Sequence, residues 1–227
     1  MEKSNIGEKI KLLTGSGMWH TREAEGLPSV HLSDGPHGLR KQEERERQNN
    51  VSLVSTCYPT ASALACSWDV TAAERLGRAV AKEAWNADVA VLLGPGINMK
   101  RSPLCGRNFE YFSEDPFLAG RLGAAYVSAA QGENVAVSLK HFAANNQETN
   151  RQTSNSQIDE RALREIYLSA FEYVVKTARP ATVMASYNRL NGYYACENRH
   201  LLTEILREEW GFDGVVISDW GACADLA

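Results

Sequence analysis

Four apolar or β-branched runs in this sequence end on side chains suited to acid–base, nucleophilic or hydrogen-bonding work. VVIS leads into Asp219 and Trp220, AVSL into Lys140 and His141, VHLS into Asp34, and TVMAS into Tyr187. A carboxylate delivered by a strand end can attack the anomeric carbon of a sugar while the adjacent aromatic ring packs on the sugar's apolar face. The bland alternative for Asp219 is a turn or helix-capping aspartate. Lys140 and His141 together suit hydrogen bonding to two neighbouring hydroxyls, against the alternative of a histidine satisfied within the core. Asp34, trailed by Gly-Pro and Gly, is either an acceptor for two hydroxyls or a turn residue. Tyr187 can hold the orientation of a carboxylate nucleophile. Met184, three residues before it, is more often core filling. Arg107 and Glu110 form a charged pair in an aromatic-rich loop, read equally as a salt bridge or a ligand contact, and Arg151 closes the amide-rich loop FAANNQETNR. One histidine among these residues does not supply the converging ligands of a metal site.

Side chains so far apart along the chain meet only if the elements bearing them are arranged around one rim. Six short apolar segments read as strands, at residues 30–33, 61–66, 89–93, 135–139, 182–186 and 215–218. Several are near-continuous apolar runs, as expected of strands covered on both faces. Helical patterns fall between them at 4–13, 71–85, 115–131 and 199–210. The clearest is DERALREIYLSAFEYVVKTA, with Leu163, Ile166, Tyr167, Ala170, Phe171, Val174 and Val175 on one stripe and Pro180 as its stop. Ser156 and Asp159 have capping-box spacing at its start, and Glu160 with Arg164 and Glu172 with Lys176 make i,i+4 pairs.

Alternating strands and helices predict βα units with right-handed crossovers, in an open doubly wound sheet or a closed barrel. No G-x-G-x-x-G or Walker loop follows any strand, so the usual reason for an open nucleotide-binding sheet is missing. Polar residues at several strand ends favour a TIM-like (β/α)8 barrel, where strand ends ring one pocket. From the first segment to the sixth is about 185 residues, roughly 37 per unit, so eight units need about 300. At 227 residues the α/β chain is therefore expected to be a barrel incomplete at its C-terminus.

Composition bounds the function classes. With 44% hydrophobic and 23% charged residues the chain has the balance of a globular domain. A formal charge of −4 gives no reason to expect nucleic acid or anionic lipid as a partner. Nowhere do about 18 apolar residues run together, so no membrane span is expected. Five scattered cysteines without C-x-x-C spacing, and no signal-peptide pattern at the start, fit a reducing cytoplasm. The charged run RKQEERERQ at 40–48 reads as a solvated loop.

Taken in order, LSDGPHGLR, GRNFEYFSEDP, LKHFAANNQETNR, ERALREIYL, VMASYNRLNG and LREEWGFDGVVISDW resemble glycoside hydrolase family 3, the β-glucosidase-type enzymes. The resemblance covers essentially the whole chain. It implies a retaining exo-acting β-glycosidase with a barrel domain followed by an α/β sandwich domain, and no metal or organic cofactor. By motif, Asp219 would be the nucleophile and Trp220 its aromatic platform. Asp34, Arg107, Lys140, His141, Arg151 and Tyr187 would hold the glycone, with Met184 lining the subsite and Arg40 near its rim. The loop KHFAANNQE departs from the KHFPGHG of the family's N-acetylhexosaminidases, so the glucosidase-like branch is the nearer match. In that branch the acid/base is a Glu of the second domain, and the barrel residues alone are expected to be inactive. The rival expectation is a non-catalytic, sugar-binding remnant.

Overall fold

The computed structural model describes residues 6–24, 26–42 and 51–223. Residues 43–48 of the charged run lie outside them, as do residues 4 and 5 of the first expected helix. That helix is α1, Ile6–Lys11. The central sheet holds β1 (Leu32–Asp34), β2 (Val91–Leu93), β3 (Ala136–Phe142), β5 (Thr182–Ala185) and β8 (Val215–Ser218). All neighbours are parallel and the order is β1-β2-β3-β5-β8. The order follows the chain without the reversal that marks a doubly wound sheet, as in an arc of a (β/α) barrel.

Each parallel step needs a crossover, and helices supply it. α2 (Ala61–Ala65) and α3 (Val70–Asn86) connect β1 to β2, α4 (Pro116–Gln131) connects β2 to β3, and α5 (Glu160–Ala162) with α6 (Ser169–Ala178) connect β3 to β5. A π-helical segment, His200–Glu209, leads to β8. The loops after β3 and β5 build a second, three-stranded sheet from β4 (Asn155–Ser156), β6 (Arg189–Leu190) and β7 (Tyr193–Tyr194).

Three sequence expectations are corrected. Residues 61–66 are not a strand but α2, capped by the Thr60 hydroxyl, which accepts from Ala63 N at 3.2 Å. A short apolar run carries no decisive periodicity, and the alanines of ASALA favour helix. With that strand gone, four crossovers span the 183 residues between Leu32 and Val215, about 46 per unit. The long helix is also not continuous: a π-helical turn at Leu163–Tyr167 interrupts it. The extra residue shifts the stripe, leaving Ile166 at 39% exposure while Leu163, Phe171 and Val174 stay buried. Asp159 caps this segment by accepting from Ala162 N, but Ser156 donates to Ala144 O instead, tying β4 to the loop after β3.

Pleating divides the strands between two cores. Leu92, Val137, Leu139 and Val183 face the helices with Leu122, Tyr126, Phe171 and Val174. Val91, Leu93 and Met184 face the other way with Leu32, Ala136, Ile217, Trp19 and Trp220, forming the inner side of the arc. Helices approach closely where side chains vanish: a Cβ on Gly77 of α3 would lie 2.5 Å from the Tyr126 carbonyl oxygen of α4.

Candidate active site

Because the strands are parallel, their C-terminal ends open on one side. Asp34 ends β1, Lys140 and His141 lie near the end of β3, and Tyr187 and Asp219 follow β5 and β8. The ten residues singled out from the sequence, Asp34, Arg40, Arg107, Lys140, His141, Arg151, Met184, Tyr187, Asp219 and Trp220, line one cavity of about 310 Å³. Met18, Trp19 and Gln42 complete its wall.

Asp219 is held by its turn. Its N–H donates to Ala185 O at 3.0 Å, and its Oδ1 accepts from Trp220 N at 2.8 Å. Oδ2 faces the cavity, 3.8 Å from His141 Nε2 and 4.0 Å from Arg107 Nη1. Burial pushes its carboxyl above the ordinary aspartate value, opposed by the Trp220 N–H, Arg107, Tyr187 and Lys140.

From Asp219 the charges alternate around the cavity. Arg107 donates from Nε to Glu110 Oε1 at 2.5 Å. Glu110 Oε2 is 3.4 Å from Lys140 Nζ, which is 3.5 Å from Asp34 Oδ1. Burial alone would raise the Glu110 carboxyl, but Lys140 and then Arg107 outweigh it and hold it below the usual range. Of the two readings that the sequence left open for this pair, the salt bridge is present, and Arg107 also lines the cavity.

His141 is gripped by Asn98, which accepts from His141 N at 2.7 Å and donates to His141 O at 2.8 Å. Its ring is neutral because burial, then Arg107, Lys140 and Arg151, drive its pKa well below 6.5. Arg151 pairs with Glu148 at 2.8 Å and lies 4.4 Å from the centre of the Tyr187 ring. The Tyr187 hydroxyl donates to Trp220 O at 2.8 Å, so it braces the turn carrying Asp219 through the backbone. Burial, and then Asp219 beside it, push that phenol up to about 12.

Sequence reasoning missed the N-terminal wall and the support beneath His141. Trp220 Nε1 donates to Met18 O at 2.8 Å, its ring lies 5.1 Å from that of Trp19, and Trp19 Nε1 donates to Gln42 Oε1 at 3.0 Å. Asn98, Tyr111 and Asn145 sit in loops with no periodicity; the sole signal was their place beside motifs already noted. Among the described residues no three His, Cys, Asp or Glu side chains converge as a cation site. What converges instead is a set of donors and acceptors around a carboxylate, with aromatic faces at one side, suited to a polyhydroxylated ring.

Comparison with known proteins places the chain in one family. Residues 36–227 match the model of the glycosyl hydrolase family 3 N-terminal domain. The chain is 53% identical to thermostable β-glucosidase B of Acetivibrio thermocellus, over 99% of this chain and 30% of that protein. It is 51% identical to an exo-α-(1→6)-L-arabinopyranosidase of Bifidobacterium longum, over 97% of this chain and 30% of that protein. The structure of β-glucosidase from Kluyveromyces marxianus in complex with glucose superposes with a TM-score of 0.92 at 44% identity, covering 97% of this chain and 26% of that one. The chain therefore spans about 30% of the length of the curated relatives it matches.

Proposed function

The chain belongs to glycoside hydrolase family 3, and on that footing we propose that it supplies the glycone pocket and nucleophile of a retaining exo-β-glycosidase acting on terminal β-D-glucosyl residues. One observation carries the assignment of Asp219. Of the carboxylates around the cavity, Glu110 spends both oxygens on cations at 2.5 and 3.4 Å, and Asp34 faces Lys140 at 3.5 Å. Glu148 accepts from Arg151 at 2.8 Å and from Asn145 at 3.0 Å. Asp219 Oδ2 has the neutral His141 ring at 3.8 Å and its nearest cation, Arg107, at 4.0 Å, both beyond hydrogen-bond reach. Oδ2 belongs to a buried carboxylate that lines the cavity and has a lone pair to spare, while Oδ1 is pinned by Trp220 N.

In this reading Oδ2 forms a bond to the anomeric carbon as the glycosidic C–O bond breaks, and the aglycone leaves with a proton from a general acid. Water then releases the sugar and restores the carboxylate. Asp34 accepts from glycone hydroxyls while Lys140, Arg107, His141 and Arg151 donate to them, and Trp220 flanks the ring. Three of the groups described at the cavity do not suit the role of acid. Glu110 is held ionised, His141 is held neutral, and the Tyr187 phenol sits at about 12. The resemblance to the glucosidase-like branch implies that the acid is a Glu of a second domain, and without it glycosylation of Asp219 slows by about 10²- to 10⁴-fold. The name of the A. thermocellus relative and the glucose in the K. marxianus structure support glucose as the sugar, while the B. longum relative is named for an arabinopyranoside.

The test follows nitrophenol release from aryl β-D-glucoside by the full-length protein. Asp219→Ala is expected to lose about 10⁴-fold or more in kcat. A 2-fluoro-glucoside is expected to label Asp219, located by peptide mass spectrometry. Undiminished turnover in the variant, or a label on another residue, removes the nucleophile assignment. A protein that binds glucose but releases no nitrophenol is the sugar-binding alternative.

A further inference from the structure

Beneath the cavity a chain of hydrogen bonds runs from Arg151 back to His141 through residues the mechanism above does not use. Glu148, paired with Arg151 at 2.8 Å, is an acceptor, so the Asn145 atom 3.0 Å from its Oε1 must be the amide nitrogen. That same nitrogen lies 3.0 Å from the Tyr111 hydroxyl and donates its second proton there. Tyr111 Oη is then the acceptor of one bond and free to donate its own proton, and His141 Nδ1 is 3.0 Å away. A nitrogen that accepts from a phenol carries a lone pair, and a neutral imidazole with a bare Nδ1 carries its proton on Nε2.

We infer that Tyr111 and Asn145 are positioning residues that hold His141 in the Nε2-protonated tautomer, so that it meets a glycone hydroxyl as a hydrogen-bond donor. Buried, and with no hydrogen-bond partner among the described residues, Nε2 lies 3.8 Å from Asp219 Oδ2. An unpaired buried donor is costly unless a ligand completes it, and here the ligand atom lies beside the attacking carboxylate. In the other tautomer an imidazole lone pair would face the Asp219 anion, and the hydroxyl between them would have to donate to both. The neutrality of the ring, from burial and the cations Arg107, Lys140 and Arg151, makes the tautomer the deciding variable. The inference rests on reading the cavity as a glycoside site.

Neutron diffraction from deuterium-exchanged crystals of the full-length protein reads the tautomer directly and needs neither a variant nor a substrate. Deuterium is expected on His141 Nε2 and on Tyr111 Oη toward Nδ1; deuterium on Nδ1 overturns the inference. In kinetics, Tyr111→Phe is expected to lower kcat/KM for an aryl β-glucoside about tenfold. In a His141→Gln background, where the side chain donates without a tautomer to choose, the same change is expected to cost nothing further. An equal loss in both backgrounds means that Tyr111 only packs, and overturns its positioning role. Deuterium on Nε2 in a protein that splits no glycoside supports the tautomer and removes the functional reading beneath it, so the two failures are separable.

Discussion

Replacing Glu110 by Gln tests whether the alternating charges organise the site. The carboxylate is 3% exposed, with Arg107 Nε at 2.5 Å and Lys140 Nζ at 3.4 Å. At an effective dielectric of about 20, an ion pair at the lysine's distance attracts by ~5 kcal/mol before desolvation is counted. The amide keeps the shape but puts an N–H₂ or a neutral oxygen where Lys140 met an anion, and Lys140, 2% exposed, stays buried. Its remaining partner is Asp34 at 3.5 Å, whose side chain is 36% exposed. Breaking a buried pair this way costs about 3–5 kcal/mol. Both cations are also donors of the glycone pocket in our reading, so kcat/KM should fall about a hundredfold as they lose their fixed positions. The assay is a urea unfolding curve beside kcat/KM for an aryl β-glucoside, with Glu110→Gln/Lys140→Met as the control. The double variant should regain part of the stability, by about 0.5–3 kcal/mol of coupling, without regaining activity. The folded-state pKa of Glu110 is depressed, so its stabilisation is present above the ordinary carboxyl pKa and lost as pH falls through the depressed one. The variant's stability should therefore depend less on pH in that acid range. Unchanged midpoint and unchanged kcat/KM together would refute the reasoning.

Two further outcomes are expected. Gly77→Ala drives a Cβ to 2.5 Å from the backbone oxygen of Tyr126, so α3 and α4 must separate. It should cost about 1–3 kcal/mol or more in urea unfolding, while kcat per folded molecule is retained; an unchanged midpoint would mean that the helices do not touch there. As the proposed nucleophile, Asp219 would have to be ionised, so kcat/KM should rise with pH along an acid limb lying above the ordinary aspartate value, since burial raises that carboxyl. Arg107→Met removes a cation 4.0 Å from Oδ2 and should move the limb to higher pH, whereas a limb that stays in place contradicts the pairing.

Much of the fold and site was legible because burial leaves a mark on sequence. The run VLL is apolar on both faces because helices cover one side and the inner core the other, and the Lys140 and His141 that follow AVSL emerge at the rim. The exceptions have physical causes. ASALA is too short for periodicity to distinguish strand from helix, and the π-turn at Leu163–Tyr167 alters phase without altering composition. Tyr111 and Asn145 could not be read as partners of His141, because three-dimensional proximity between loops leaves no local pattern. Arg40, by contrast, lines the cavity as its motif implied, though nothing in its spacing said so.

The choice between an open sheet and a barrel arc is settled by the contact between Trp19 and Trp220. β1 and β8 are the outermost strands of the central sheet, four spacings apart, or ~19 Å if it were flat. Trp19 lies beside β1, its carbonyl accepting from Leu32 N at 2.7 Å, while Trp220 follows β8. Yet the Trp220 indole N–H reaches the neighbouring Met18 carbonyl at 2.8 Å and the two tryptophan rings lie 5.1 Å apart. A single indole cannot bridge a flat sheet's width, so the sheet must curl until its edges approach across the mouth of the cavity. That curvature turns separate strand ends into one rim. It brings Asp34 from β1 and Asp219 from β8, the first and last carboxylates of the site, into the same 310 Å³ cavity. It also explains why the segment before β1 walls the site: its Trp19 packs against Trp220, the neighbour of Asp219.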